Sequence, residues 1–174
     1  MELTNKVAQS AIEVYNLEAL WDGKPLVTFD VAAFLHKGLM LREIPFRQAM
    51  AEIDWTTYDH KHVAIGCTTN AIVPRWTYML IASLLHGHAT SVAFGDEKDL
   101  VRDHYVRALA LEDWSRFAGL PVVLKGCNSP IVPLDAYLLA TQYLQPFAKK
   151  IMYGEPCSAV PIWRKPKAVP AVLV

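Results

Sequence analysis

Neither sign of charge is in excess in this chain: 17 lysines and arginines balance 17 aspartates and glutamates over 174 residues. The largest basic cluster is Arg164-Lys165-Pro166-Lys167, close to the end. A basic patch is what draws nucleic acid or an anionic membrane, so neither is expected as the main partner. No apolar run is long enough to cross a bilayer, because charges or histidines interrupt every candidate. The opening stretch MELTNKVAQSAIEVYNLEAL holds no apolar signal region, so a cytoplasmic location is expected and export is not. Cysteine is scarce, and its count of three is odd. In a chain that is not exported, this favours reduced thiols or metal ligands over structural disulfides. Also absent are a glycine-rich phosphate loop, a Gly-x-Ser-x-Gly elbow, a His-Glu-x-x-His pair and any Cys-x-x-Cys spacing. A serine hydrolase or a nucleotide-binding enzyme is left without support.

What is present is apolar sequence in quantity, at 53% hydrophobic and 20% charged. That suffices for one full core, and the expectation is a single α/β domain spanning residues 1–174. Within it the chain says nearly the same thing twice, over residues 63–96 and 122–155. Dropping one residue from the first loop aligns Gly66 with Gly126, Cys67 with Cys127, and Ile72-Val73-Pro74 with Ile131-Val132-Pro133. The same alignment pairs Tyr78 with Tyr137, Leu80 with Leu139, Leu85 with Leu144, Ala89 with Ala148 and Gly95 with Gly154. The third cysteine, Cys157, follows the second copy directly.

Each copy reads as strand, helix, strand. Val63–Gly66 and Val122–Lys125 are short apolar strands, and Pro74 and Pro133 suit a helix start, where a missing N–H costs nothing. The helices run to about His86 and Leu144, and Ser91–Phe94 and Lys150–Tyr153 close the copies. Both helices are apolar nearly all round, which predicts burial on more than one side, in either a thick domain or a homodimer interface, with the homodimer preferred. Trp76, Tyr78, Met79, Tyr137, Tyr143 and Met152 are core by default. A charged helix is expected over Glu97–Ala118, stopped by Gly119 and Pro121. Upstream, Leu39–Arg42 reads as a strand before a helix from Pro45 to about Ile53. Ala11–Tyr15 and Leu26–Phe29 are candidate strands, with Asp30 capping a short helix at Val31–Leu35. Ile162–Val174 is either a loose tail or an edge-covering strand. The alternation implies a mostly parallel sheet with helices on both faces, built from two related β-α-β repeats.

In such sheets ligands bind beyond the carboxyl ends of the strands. The residues that follow the expected strands are Glu43, Cys67, Asp96, Cys127, Glu155 and Cys157, so three thiols and three acids share that edge. Helix N-termini follow Cys67 and Cys127 after short loops, a setting that favours thiolate. Thiolate is the form that binds zinc or an iron–sulfur cluster, or that attacks an electrophile. The plainer reading weighs about equally, since cysteine is often a small buried residue in a tight turn. Asp96 and Glu155 likewise are either ligands or caps of the next turn. Asp59-His60-Lys61-His62 precedes a strand, at the opposite edge, as do His86 and His88. Solvated turns suit them better than a metal site, and His36 and His104 suit helix surfaces.

Several blocks together resemble a known family. Asn5-Lys6-Val7-Ala8, Phe46-Arg47, Asp54-Trp55, Lys125-Gly126-Cys127 and Gly154-Glu155-Pro156-Cys157-Ser158 with Val160-Pro161 are similar to the bacterial domain-of-unknown-function family numbered 2480. The resemblance covers nearly the whole chain, although the tail beyond Arg164 departs from it and Ala159 stands where the family usually has threonine. It implies no activity. It does imply that Cys67, Cys127 and Cys157 belong to motif blocks, and it points to iron–sulfur assembly proteins as partners. The expectation is therefore a metal or iron–sulfur site on Cys67, Cys127 and Cys157, with Glu155 or Asp96 as a further ligand. The alternatives are a metal-free nucleophile or redox cysteine at Cys127 or Cys157, and a dimerising structural module with buried cysteines.

Overall fold

The structure, a computed structural model, describes residues 12–166; Asn5–Ala8 of the family blocks and the tail from Lys167 lie outside the described residues. The described residues divide into two compact units, one of residues 12–21 and 105–166 and one of Asp22–His104. They are called unit 1 and unit 2 here.

Unit 2 holds β2 (Leu26–Asp30), α1 (Glu43–Glu52), β3 (His62–Gly66), α2 (Arg75–Leu84), β4 (Ser91–Phe94) and the first part of α3 (Glu97–Ala110). Its sheet is parallel throughout, in the order β2-β3-β4. The central strand β3 is buried from His62 to Ile65, as expected for a strand covered on both faces. Alternation along it divides the core. Val63 and Ile65 pack with Phe46 and Met50 of α1 and Ile81 of α2, while Ala64 packs with Ala93 and with Leu100 of α3. Helices thus cover both faces of this sheet.

Unit 1 holds β1 (Glu13–Asn16), the end of α3, β5 (Pro121–Lys125), α4 (Leu134–Leu144), β6 (Lys150–Tyr153) and β7 (Val160–Arg164). The sheet order is β1-β5-β6-β7, parallel except for β7, which runs antiparallel to β6. Val122, Val123 and Leu124 of the interior strand β5 are fully or almost fully buried. Pro121 stands at the first position of that strand, where it removes no interior ladder bond. Edge strand β7 is largely exposed and carries Pro161, which discourages pairing with a further chain.

Four short 3-10 turns follow one rule: an Asn or Asp side chain accepts the backbone N–H two residues on. Asn16, Asp30, Asp54 and Asp113 each do this. The turns at Trp55–Tyr58 and Trp114–Phe117 match in more detail. Trp55 Nε1 donates to Met50 O at 3.1 Å and Trp114 Nε1 to Leu109 O at 2.9 Å, fastening each tryptophan to the helix before it.

Several expectations change. The strands fall into two sheets rather than one, because β1 pairs with β5 and β2 with β3, a choice made by tertiary packing that strand periodicity does not encode. Leu39–Arg42 forms no strand; Met40 makes only isolated bridges to His36 and Ile72. The helix expected over 97–118 stops at Ala110, and Asp113 starts a separate 3-10 turn. The helices α2 and α4 bury one face only. Met79 on α2 is 72% exposed, and Leu134 and Leu138 on α4 are 80% and 64% exposed. Of the residues taken as core, Met152 is buried, whereas Trp76, Tyr78, Tyr137 and Tyr143 are half-buried. The chain end supplies an edge-covering strand, β7, as far as Arg164.

Candidate functional site

At the carboxyl edge of unit 1 three parallel strands release three loops, and a polar network ties them together. β5 ends on Lys125, and Gly126, Cys127 and Asn128 follow. Lys125 Nζ pairs with Glu155 of the loop after β6, at 3.0 Å to Oε1 and 3.3 Å to Oε2. Asn128 Nδ2 donates to Glu155 Oε1 at 3.4 Å, and Asn128 N donates to Glu18 Oε1 at 3.0 Å. Glu18 comes from the turn after β1, so Glu18, Lys125, Asn128 and Glu155 bind all three loops. Cys127 sits exposed between Lys125 and Asn128, and Cys157 is exposed two residues beyond Glu155. The Ser158 N–H closes that last turn on Glu155 O at 2.9 Å.

The electrostatics follow from this wiring. The Glu155 carboxylate, by its bond and charge, holds the Lys125 ammonium above its ordinary pKa, with Glu18 and Cys127 adding to the effect. Tyr137 of α4 is pushed up to about 12, first by burial and then by Tyr153, Cys127 and Glu18. Its ring meets Tyr153 edge-on at 5.6 Å. A Cβ on Gly126 would stand 2.5 Å from the Tyr137 hydroxyl, which is why the residue before the cysteine is glycine.

At the carboxyl edge of unit 2, β3 ends on Gly66, and Cys67 and Thr68 follow. Here Asp30 is the tie. Its Oδ1 accepts Thr68 N at 3.1 Å and Ala32 N at 2.9 Å, and its Oδ2 accepts the Thr68 hydroxyl at 2.6 Å. Burial pushes the Asp30 carboxyl up, but these bonds outweigh it and hold it below the usual range. Cys67 is half-buried, with its Sγ 3.3 Å from Thr69 Oγ1. Ile65 occupies the place that Lys125 has in unit 1, so no ammonium accompanies this thiol from its own strand.

The expected site residues therefore separate. Cys127, Glu155 and Cys157 occupy neighbouring loops of unit 1, while Cys67 and Asp96 belong to unit 2. Asp96 serves as a cap. Its Oδ1 accepts Lys98 N at 2.9 Å and Asp99 N at 3.0 Å, and Asp99 Oδ2 accepts Asp96 N at 3.2 Å in return. None of the three cysteines is buried or in a disulfide, which removes the buried-thiol basis of the structural-module reading. Among the described residues, no group of three or more His, Cys, Asp or Glu side chains is placed to hold a metal ion. None of their helices is long and apolar enough to cross a membrane.

Sequence reasoning passes over Glu18 and Asn128 because their roles depend on the register of β1 against β5, where Asn16 pairs with Lys125. It also passes over a hydrogen-bonded trio around one buried histidine at the other edge of unit 2. His62, 1% exposed, has Nε2 at 2.8 Å from Asp22 Oδ1 and Nδ1 at 2.7 Å from Ser91 Oγ. A carboxylate only accepts, so Nε2 carries the hydrogen and donates to Asp22. The ring also meets His104 edge-on at 5.3 Å. With both nitrogens occupied and the ring sealed, the trio fastens the entry to β2 to strands β3 and β4. His88 Nδ1 lies 2.7 Å from Asp59 Oδ1, so this histidine of the same edge is also paired.

The chain matches, over residues 1–165, the family described as protein of unknown function (DUF2480), and it belongs to that family. No curated protein and no solved structure matches it.

Proposed function

We propose that this member of the DUF2480 family holds a thiophilic metal ion, such as zinc, or an iron–sulfur cluster through cysteine thiolates at the carboxyl edge of unit 1. Cys127 and Cys157 are the pair that carries the site. The observation behind this reading is the polar network of Glu18, Lys125, Asn128 and Glu155, which ties together the two loops bearing exposed, reduced thiols. Two thiolates leave positions open, filled by cluster sulfide, solvent or a ligand from outside these loops, as suits a carrier that hands its cargo to an iron–sulfur assembly partner. Asp96, spent on its cap, has no part in it. In the same reading the protein is a cytoplasmic homodimer, supported by the exposed apolar residues Met79, Leu134 and Leu138, and its two units are copies of one ancestral unit, supported by the matching Trp55 and Trp114 fastenings.

A second reading is favoured by the Lys125 ammonium: Cys127 acts as a metal-free nucleophilic or redox thiolate. One preparation separates the two. Protein purified without oxygen is assayed for iron, zinc and acid-labile sulfide, then alkylated in the native state. Stoichiometric metal with slow alkylation of Cys127 and Cys157 supports the first reading. Metal-free protein with one fast thiol at Cys127, slowed several-fold in Lys125→Gln, supports the second. Metal-free protein with three thiols of equal rate removes both.

A further inference from the structure

Unit 2 contains a cavity of about 310 Å³ lined by Phe34, Leu35, His36, Arg42, Phe46 and Ala49, among others. That volume is at the low end of the range for small-molecule sites, roughly 300–1,000 Å³. The lining begins in the turn that directly follows β2 and continues into the first turns of α1, so the cavity lies where open parallel sheets take their ligands. Its apolar wall is rigid. Phe46 is 1% exposed, Phe34 meets it edge-on at 5.7 Å, and Phe29 stacks on Phe34 at 5.6 Å.

The polar groups on the wall are of one kind. Arg42 and His36 line the cavity, and no acid does. Glu43, the nearest acid in sequence, is taken by Arg47 at 2.9 Å. The Arg42 side chain makes no hydrogen bond or ion pair with another described residue, and it gives no capping bond to α1. Pro45 brings no N–H to the first turn, and the N–H groups of Glu43 and Ile44 have no partner among the described residues. The positive end of α1 therefore stands beside an uncommitted guanidinium. His36 is held in place by a tight turn: its N–H donates to Met40 O at 2.7 Å, with Lys37 and Gly38 at φ 52° and 69°.

We propose that this cavity binds a small organic carboxylate with an apolar body, independently of the cysteine site. The Arg42 guanidinium takes the carboxylate, with His36 on the same wall, and the Phe34–Phe46 wall takes the body. One guanidinium, one imidazole and a mostly apolar wall suit a monoanion of this kind better than a phosphate dianion, which calls for more donors.

The test is a titration of the full chain, followed by backbone amide shifts, with benzoate and with benzamide, its neutral counterpart. Benzoate is expected to move the amides of Phe34, Leu35, His36 and Ala49, with benzamide weaker by roughly tenfold or more. Arg42→Gln, at an exposed position, should weaken benzoate by a similar factor without altering the melting temperature, and Arg42→Lys should restore part of the loss. Ala49→Leu, which fills the cavity, should abolish binding of both. Equal binding of benzoate and benzamide, full benzoate affinity in Arg42→Gln, shifts confined to other residues, or no shift up to about 20 mM would each overturn the proposal.

Discussion

The turn after β5 and the turn after β3 start from the same Gly-Cys pair, yet a lysine precedes the first and an isoleucine the second. In unit 1, Lys125 draws Glu155 across from β6, and Asn128 draws in Glu18 from the turn after β1. In unit 2, Asp30 binds the Thr68 backbone and hydroxyl directly, and the carboxylate after β4, Asp96, turns away to cap α3. The first arrangement leaves an exposed thiol beside a cation and a second exposed thiol two residues past that cation's partner. The second leaves one half-buried thiol in a turn held by a carboxylate, with no cation from its own strand. Two scaffolds that start from the same pair of residues can thus carry unequal chemistry, and the difference lies in which strand-end residue is charged.

The largest expected effect concerns what the scaffolds share. Trp114 is 6% exposed, and its ring stacks on Tyr143 at 5.6 Å, whereas Trp55 is half-buried. Trp114→Ala should cost about 3–5 kcal/mol in urea unfolding, and Trp55→Ala clearly less. Equal costs would mean that the two fastenings are interchangeable.

Next comes a contrast in how the central strands begin. His62 in unit 2 aligns with Val122 in unit 1, and both are buried. Burial pushes the Asp22 carboxyl up, but the bonds from His62 and Lys24 outweigh it and hold it down to about 2, against an ordinary 3.8. A depressed carboxylate contributes stability that is present above pH 3.8 and lost as pH falls through about 2. Asp22→Asn should cost about 1.5–3 kcal/mol at neutral pH, as expected for a hydrogen bond to a charged group. The wild type should then lose stability between pH 4 and pH 2 more steeply than this variant; parallel pH curves would remove Asp22 as the acid-sensitive group.

A smaller difference should separate two glycines that each close a strand. Gly95 and Gly154 have φ of 116° and 111°, and their N–H groups donate to Ile65 O and Leu124 O, both at 3.0 Å. An alanine at either is strained by about 1–3 kcal/mol. At Gly95 its Cβ would also overlap the Asp99 carboxylate, whereas at Gly154 the nearest atom is 4.0 Å away. Gly95→Ala should therefore melt lower than Gly154→Ala. The smallest effect is expected at Thr77, aligned with Ala136, where a fully buried hydroxyl has no partner among the described residues. Thr77→Val should raise stability by about 1 kcal/mol. A loss of that size would show that the hydroxyl is satisfied.

Much of this comparison is legible before any coordinates. The doubled Gly-Cys segment, the short strands and Asp30 as a cap follow from apolar periodicity and turn chemistry, whereas the chain end reads equally as a loose tail or as the edge strand it forms as far as Arg164. The two-sheet pairing does not, because β1 and β2 carry no mark saying which partner each will take. Asp96 and Glu155 look alike in sequence, each after a glycine that ends a strand. They part only because α3 begins directly after Asp96, which makes that carboxylate a cap, while the loop after Glu155 leads to β7 and leaves its carboxylate for Lys125. The apolar helices are legible only in part: periodicity reports what can be buried and not against what, and within unit 1 α4 buries Ala136 and Ala140 while Leu134 and Leu138 stay exposed.

The most direct test of the central claim is reconstitution without oxygen, with iron and sulfide and separately with zinc, on the wild type and on Cys127→Ser, Cys157→Ser and Cys67→Ser. The account predicts that the wild type takes up metal in fixed proportion, that Cys127→Ser and Cys157→Ser lose it, and that Cys67→Ser keeps it. No uptake by fully reduced wild-type protein, or a loss on Cys67→Ser as large as on the other two, would contradict it.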